Sequence, residues 1–247
     1  MPDNLKEMNF LDHLEELRWR LVKSLASILV FSIAAYFFSD QILAFVTRPI
    51  DEVFFMAPTE AFAVRIKVSL FAGLVIALPI ILYQAWQFVV PGLYAQEAHL
   101  VVPVVILTTL FFLIGASFCF FVVLPVGIKF LVGFGTEKMK PLIAVGRYIS
   151  FVSWMTLAFG IVFELPIVTF FLGRVGVISS SMLRKWRRYA LVGILIVAAA
   201  VTPSPDVFSQ LMLAGPLYIL YEASILVVRL TGKREKEHQK GDSERAS

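Results

Sequence analysis

The chain alternates long apolar runs with short polar segments that carry most of its charge. A helix crossing a bilayer core of about 30 Å needs roughly 20 mostly apolar residues, each rising 1.5 Å. Four runs meet or approach that length. They are Leu21–Phe38, Val68–Val90, Leu100–Val126 with Pro103 and Pro125 near its ends, and Ile149–Leu172, interrupted by Glu164. Two weaker runs follow. Ala190–Val201 reaches only about 18 Å, and Val207–Val228 contains Gln210 and Glu222. These last two are short spans beside thinned lipid or the arms of one re-entrant hairpin. Either reading puts both chain ends on one side; we favour six spans.

The polar segments complete the organisation. Residues 1–20 form an amphipathic N-terminal segment, 21–228 the membrane domain, and 229–247 a solvated, disordered tail of mixed charge. In the first segment Leu14, Leu17, Leu21 and Leu25 make an apolar stripe at helical spacing. Asp12, Glu16, Arg20 and Lys23 share another face, and Asn9 with Asp12 resembles a helix-capping box. The polar stretch ahead of the first run, and the run's length, argue against a cleavable leader. Gly73-x4-Leu78-Pro79-Ile80 is echoed by Gly160-x4-Leu165-Pro166-Ile167, which we read as coincidence.

Composition narrows the class. Hydrophobic residues make up 59% and charged residues 16%, against about 45–50% and about 25% in soluble domains. With 23 Phe and a mean hydropathy of +0.82, the chain is read as an all-α integral membrane protein. A single cysteine, Cys119, excludes a disulfide framework, and three scattered histidines offer no metal centre. Phosphate-loop, serine-hydrolase, zinc-protease and dinucleotide fingerprints are missing, so neither an enzyme nor a cofactor is expected. The Lys and Arg flank spans, which leaves no nucleic-acid site. Most of the 22 basic residues fall before span one, between spans four and five, and after span six. By the positive-inside rule both termini are cytoplasmic.

Few residues carry chemistry. Glu164, deep in the fourth run, is either a hydrogen-bonded helix tie or a functional carboxyl. Pro91-Gly92 should break the second span's helix, which places Glu97 in the first turn of the third. There it is a helix-start stabiliser or an acceptor for a partner's cation. Glu16 pairs with Arg20 on one helix face. Asp206, in Thr202-Pro-Ser-Pro-Asp206, caps the next helix or takes part in function. Glu222 reads as a structural acid near the end of the last span.

In this setting His13-Leu-Glu-Glu-Leu-Arg-Trp-Arg-Leu21 resembles the N-terminal signature of TatC, the multispanning component of the twin-arginine protein translocase. Four further blocks match in order: Leu78–Gln84, Phe88–Tyr94 with Glu97, Phe159–Pro166, and Pro205–Gln210. The resemblance covers about residues 9 to 230. It implies a glove-shaped bundle of six transmembrane helices, the last two short, in the bacterial inner membrane. It also implies a receptor for signal peptides with paired arginines on folded precursors. Such a receptor works with TatB and TatA, self-associates in the receptor complex and is driven by the proton gradient. By that match Glu16 and Glu97 accept the arginines, Arg18 and Phe88 shape the same patch, and Pro49, Glu164, Asp206 and Gln210 hold positions of structural or functional weight. One departure stands out: around Glu97 the chain reads Ala95-Gln-Glu-Ala-His99, without the basic neighbours common in the family. A competing reading is a proton-coupled secondary transporter using Glu164.

Overall fold

The computed structural model describes residues 10–50, 53–93, 101–133, 142–174, 176–201 and 207–245. Among these the chain is helical apart from turns and one isolated parallel bridge between Phe54 and Ala144. The helices are α1 (Phe10–Tyr36), α2 (Ser39–Val46), α3 (Glu60–Leu93), α4 (Val101–Phe118), α5 (Leu124–Val132), α6 (Val145–Phe163), α7 (Leu165–Arg174), α8 (Ser180–Lys185), α9 (Arg187–Val201) and α10 (Val207–Arg245).

Five stretches are long and apolar enough to cross a membrane: Asp12–Tyr36, Glu60–Phe88, Val102–Val132, Val145–Arg174 and Gln210–Leu230. The expected short span is α9, whose 15 residues reach about 22 Å. The protein is therefore an all-helical, multi-pass membrane protein. Its exposed apolar side chains, such as Leu21, Leu25, Leu29 and Ile33 along α1, supply the lipid-facing surface such a protein requires.

Local chemistry explains where the helices depart from smooth runs. The third span is interrupted by a π-helical turn, Cys119–Val123, directly before α5. Pro125 near the start of α5 has no N–H to give the preceding turn, which favours the wider turn there. The fourth span breaks at Glu164, two residues before Pro166, and restarts with Ile167 N and Val168 N donating to Glu164 O at 3.0 and 2.9 Å. The helix break expected at Pro91-Gly92 falls later, because α3 continues to Leu93. α10 does not stop at Val228 but continues as helix to Arg245. Its Lys-, Arg- and Glu-rich tail, expected as solvated and disordered, is made of good helix formers.

The chain divides into two compact units, Met1–Thr109 with Ile143–Ile149, and Leu110–Leu142 with Ser150–Ser247. In the first, α1 and α3 run antiparallel. Ser32 meets Gly73 so closely that a Cβ on Gly73 would lie 2.5 Å from Ser32 N and 2.6 Å from Ser32 Cα. Ala35 on α1 and Val64, Val68, Ala77 and Leu78 on α3 are buried. At one end of this unit Glu60 accepts from Gly146 N at 2.7 Å and Met56 N at 2.5 Å, and Tyr148 donates to Val46 O at 2.8 Å. In the second unit Phe118 packs against Phe159 and Phe163, with ring centroids 6.2 and 5.9 Å apart. Gly160 sits against the Phe112 ring, where a Cβ would collide. The two glycines of the Gly-x4-Leu-Pro-Ile echo thus each mark a tight approach to a neighbouring helix.

Candidate functional site

At the other end of the first unit, the opening turns of α1 meet the closing turns of α3. His13, Glu16 and Arg20 are spaced i, i+3 and i+7, so they line one side of α1. Tyr83, Gln84, Gln87 and Phe88 present the facing side of α3 by the same rule. The polar groups link into a chain. Arg20 Nε donates to Glu16 Oε1 at 2.9 Å, and Arg20 Nη2 donates to the same oxygen. Arg20 Nη1 crosses to α3, donating to Gln87 Oε1 at 2.7 Å and reaching Gln84 Oε1 at 3.5 Å. Gln87 Nε2 in turn donates to the Tyr83 hydroxyl at 2.8 Å.

The carboxylate is therefore used unequally. Oε1 takes two N–H groups from Arg20, whereas among the described residues Oε2 has only His13 Nδ1 at 3.6 Å, beyond hydrogen-bond range. The side chains of Glu16 and Arg20 are 22% and 16% exposed, so the pair is half-buried and less screened than a surface pair. His13 lies flat on Phe88, with ring centroids 4.2 Å apart and planes 8° apart. That stack holds the imidazole beside Glu16. Arg18 and Trp19 are exposed, and helical spacing puts Arg18 on the side of α1 opposite the ledge. The site is thus a ledge on which one carboxylate, a planar cation and an aromatic plate lie within a few residues of each other.

The other described candidates lie away from this ledge. Glu97 and Asp206 fall outside the described residues. Pro49 is half-buried in the turn that closes α2, where Ile50 N donates to Thr47 O at 3.0 Å. Glu164 sits at the α6–α7 break, with Oε1 buried and lacking a hydrogen-bond partner among the described residues. Gln210 Nε2 donates to Leu195 O at 2.9 Å, which staples α10 to α9. Glu222 accepts from Arg187 at 2.6 Å and from Tyr218 at 3.1 Å, which agrees with its reading as a structural acid.

The comparisons with known proteins agree with one another. Residues 12–216 match the family described as Sec-independent protein translocase protein (TatC). The chain belongs to the TatC family. A TatC from Desulforapulum autotrophicum is 41% identical over 95% of this chain and 89% of its own length. The TatC of Aquifex aeolicus is 39% identical over 94% of this chain and 100% of its own. A crystal structure titled twin arginine translocase receptor TatC superposes with a TM-score of 0.80 at 39% identity, covering 89% of this chain and 99% of that one. Nothing in these matches supports the secondary-transporter reading. As a TatC, the chain places the Glu16 of its N-terminal signature in the ledge described above. Sequence reasoning paired Glu16 with Arg20 but missed Tyr83, Gln84 and Gln87. The available signal was a set of polar residues at helical spacing where an apolar span ends.

Proposed function

We propose that this TatC is the signal-peptide receptor subunit of a twin-arginine translocase in a bacterial inner membrane, with both termini cytoplasmic. It accepts the paired arginines of folded precursors through Glu16 and Glu97. Phe88 shapes the patch through its stack with His13, Arg18 contributes only from the exposed side of α1 away from the ledge, and TatB and TatA act as partners in transport driven by the proton gradient. One observation carries the reading: Glu16 already holds a planar guanidinium, that of Arg20, on a half-buried ledge at the end of the first span. A carboxylate binds a guanidinium through directed N–H bonds that an ammonium cannot copy. Glu97 follows the α3 end closely in sequence, so its carboxylate would serve the second arginine. Pro49 and Gln210 act structurally in this scheme, Asp206 holds a position of structural or functional weight, and Glu164 contributes to transport from within the membrane.

The test is export of a reporter carrying an Arg-Arg signal peptide. Glu16→Ala and Glu97→Ala should each abolish or strongly reduce export while the protein still inserts. The double variant should lose less than the sum of the two singles, since one grip shared by two acids fails when either is lost. Undiminished export in Glu97→Ala would return that residue to a helix-start stabiliser.

A further inference from the structure

We infer that Arg20 is a third functional residue of this site: an internal guanidinium that fills the Glu16 carboxylate and must yield when a signal-peptide arginine binds in fork geometry. The inference rests on the proposed reading of Glu16 as an acceptor. A ligand guanidinium binding side-on needs both carboxylate oxygens. In the structure Oε1 is taken twice by Arg20, while among the described residues Oε2 has only the long contact with His13. The occupied geometry is itself braced, because Arg20 Nη1 is bonded to Gln87 on the other helix. Gln87, held by Tyr83 in turn, acts through Arg20 and is a positioning residue. An ammonium needs only one oxygen and can approach Oε2 with Arg20 in place.

The consequence is a population argument. The apparent affinity for an arginine pair falls by the fraction of molecules whose Glu16 is vacant. Loosening Arg20 should therefore tighten arginine binding, whereas a purely structural residue would weaken it when altered. Arg20→Lys is the informative change. It keeps the positive charge, so long-range electrostatics stay constant, but an ammonium cannot make the two bonds to Glu16 and the one to Gln87 as a planar unit.

The experiment measures binding of two labelled peptides, one with adjacent arginines and one with adjacent lysines. Each is titrated onto the full-length protein with its translocase partners in lipid nanodiscs. Arg20→Lys should bind the arginine peptide roughly threefold to tenfold more tightly than wild type, with little change for the lysine peptide. Gln87→Leu leaves Glu16 and Arg20 in place, and should shift arginine binding the same way by a smaller factor. Glu16→Gln serves as the reference. If it binds the arginine peptide like wild type, the acceptor reading itself fails. If it loses binding while Arg20→Lys and Gln87→Leu bind no better than wild type, Arg20 is only a brace and the inference is overturned. An equal gain for both peptides would reduce the effect to local charge and also overturn it.

Discussion

Replacing Gly73 by alanine adds one methyl group far from any charged residue of the site, yet should disturb both stability and binding. The new Cβ would fall 2.5 Å from Ser32 N and 2.6 Å from Ser32 Cα. Ordinary contact begins near 3.5 Å, so α1 and α3 must part by about 1 Å. Two effects compete. Alanine is better than glycine in a helix interior by about 1 kcal/mol. Overpacking costs about 1–3 kcal/mol, and here the obstacle is backbone, which cannot rotate away. With a backbone obstacle the cost falls in the upper part of that range, so the overlap should win, leaving a net loss of roughly 1–2 kcal/mol. The separation should also reach the ledge about 21 Å along α3. There the Arg20–Gln87 bond of 2.7 Å has no slack for a shift of that size. The assay is thermal unfolding in detergent, followed by size-exclusion recovery, beside Gly193→Ala and Gly215→Ala. Neither of those glycines has a neighbour within 4 Å of an added Cβ, so both variants should melt at or slightly above wild type. A Gly73→Ala protein that melts with these controls or higher would refute the tight α1–α3 contact.

Other substitutions probe separate parts of the account. Glu164→Gln should keep expression and folding while reducing export, whereas Glu164→Lys should damage assembly because it fixes a cation at a buried helix break. A silent Glu164→Lys, judged by yield and export together, would mean that the residue faces water. Gln210→Leu should loosen α9 from α10 by about 0.5–1.5 kcal/mol through loss of its bond to Leu195 O, measured as faster proteolysis between the two helices; unchanged proteolysis would count against the staple. In a Cys119→Ala background, Ser204→Cys should react with an impermeant thiol reagent from outside and Ser180→Cys only from inside. Labelling of position 204 only after lysis would sink the six-span topology.

The spans were legible because length and hydropathy alone decide whether a helix can cross a bilayer. Leu21–Phe38, Val68–Val90, Leu100–Val126 and Ile149–Leu172 each lie within or closely overlap an observed span. Finer breaks were harder to place. Pro125 and Pro166 were visible, but which turn absorbs the missing N–H depends on the packing around it, and α2 was hidden between stronger signals. Pro91 illustrates the converse, since α3 carries on past it. In the site, the Glu16–Arg20 pair could be read from i, i+4 spacing because helical geometry guarantees that proximity. The link from Arg20 to Gln87, 67 positions away, depends on the register of two helices, which Ser32 and Gly73 help to set. That register leaves no periodic trace in the sequence. After Val228 mixed charge signals solvation, while the same residues are also good helix formers, and α10 runs on through them to Arg245.

The central claim is that carboxylates at this end of the protein recognise a pair of guanidinium groups. Its most direct measurement is equilibrium binding of the arginine-pair and lysine-pair peptides to the purified receptor complex in lipid, for wild type, Glu16→Gln and Glu97→Gln. The account predicts that wild type binds the arginine pair at least tenfold more tightly than the lysine pair. It also predicts that each acid variant loses roughly one to two decades of arginine affinity, as expected for one charge-assisted bond of about 1.5–3 kcal/mol. Equal binding of the two peptides, or full affinity in both acid variants, would contradict it.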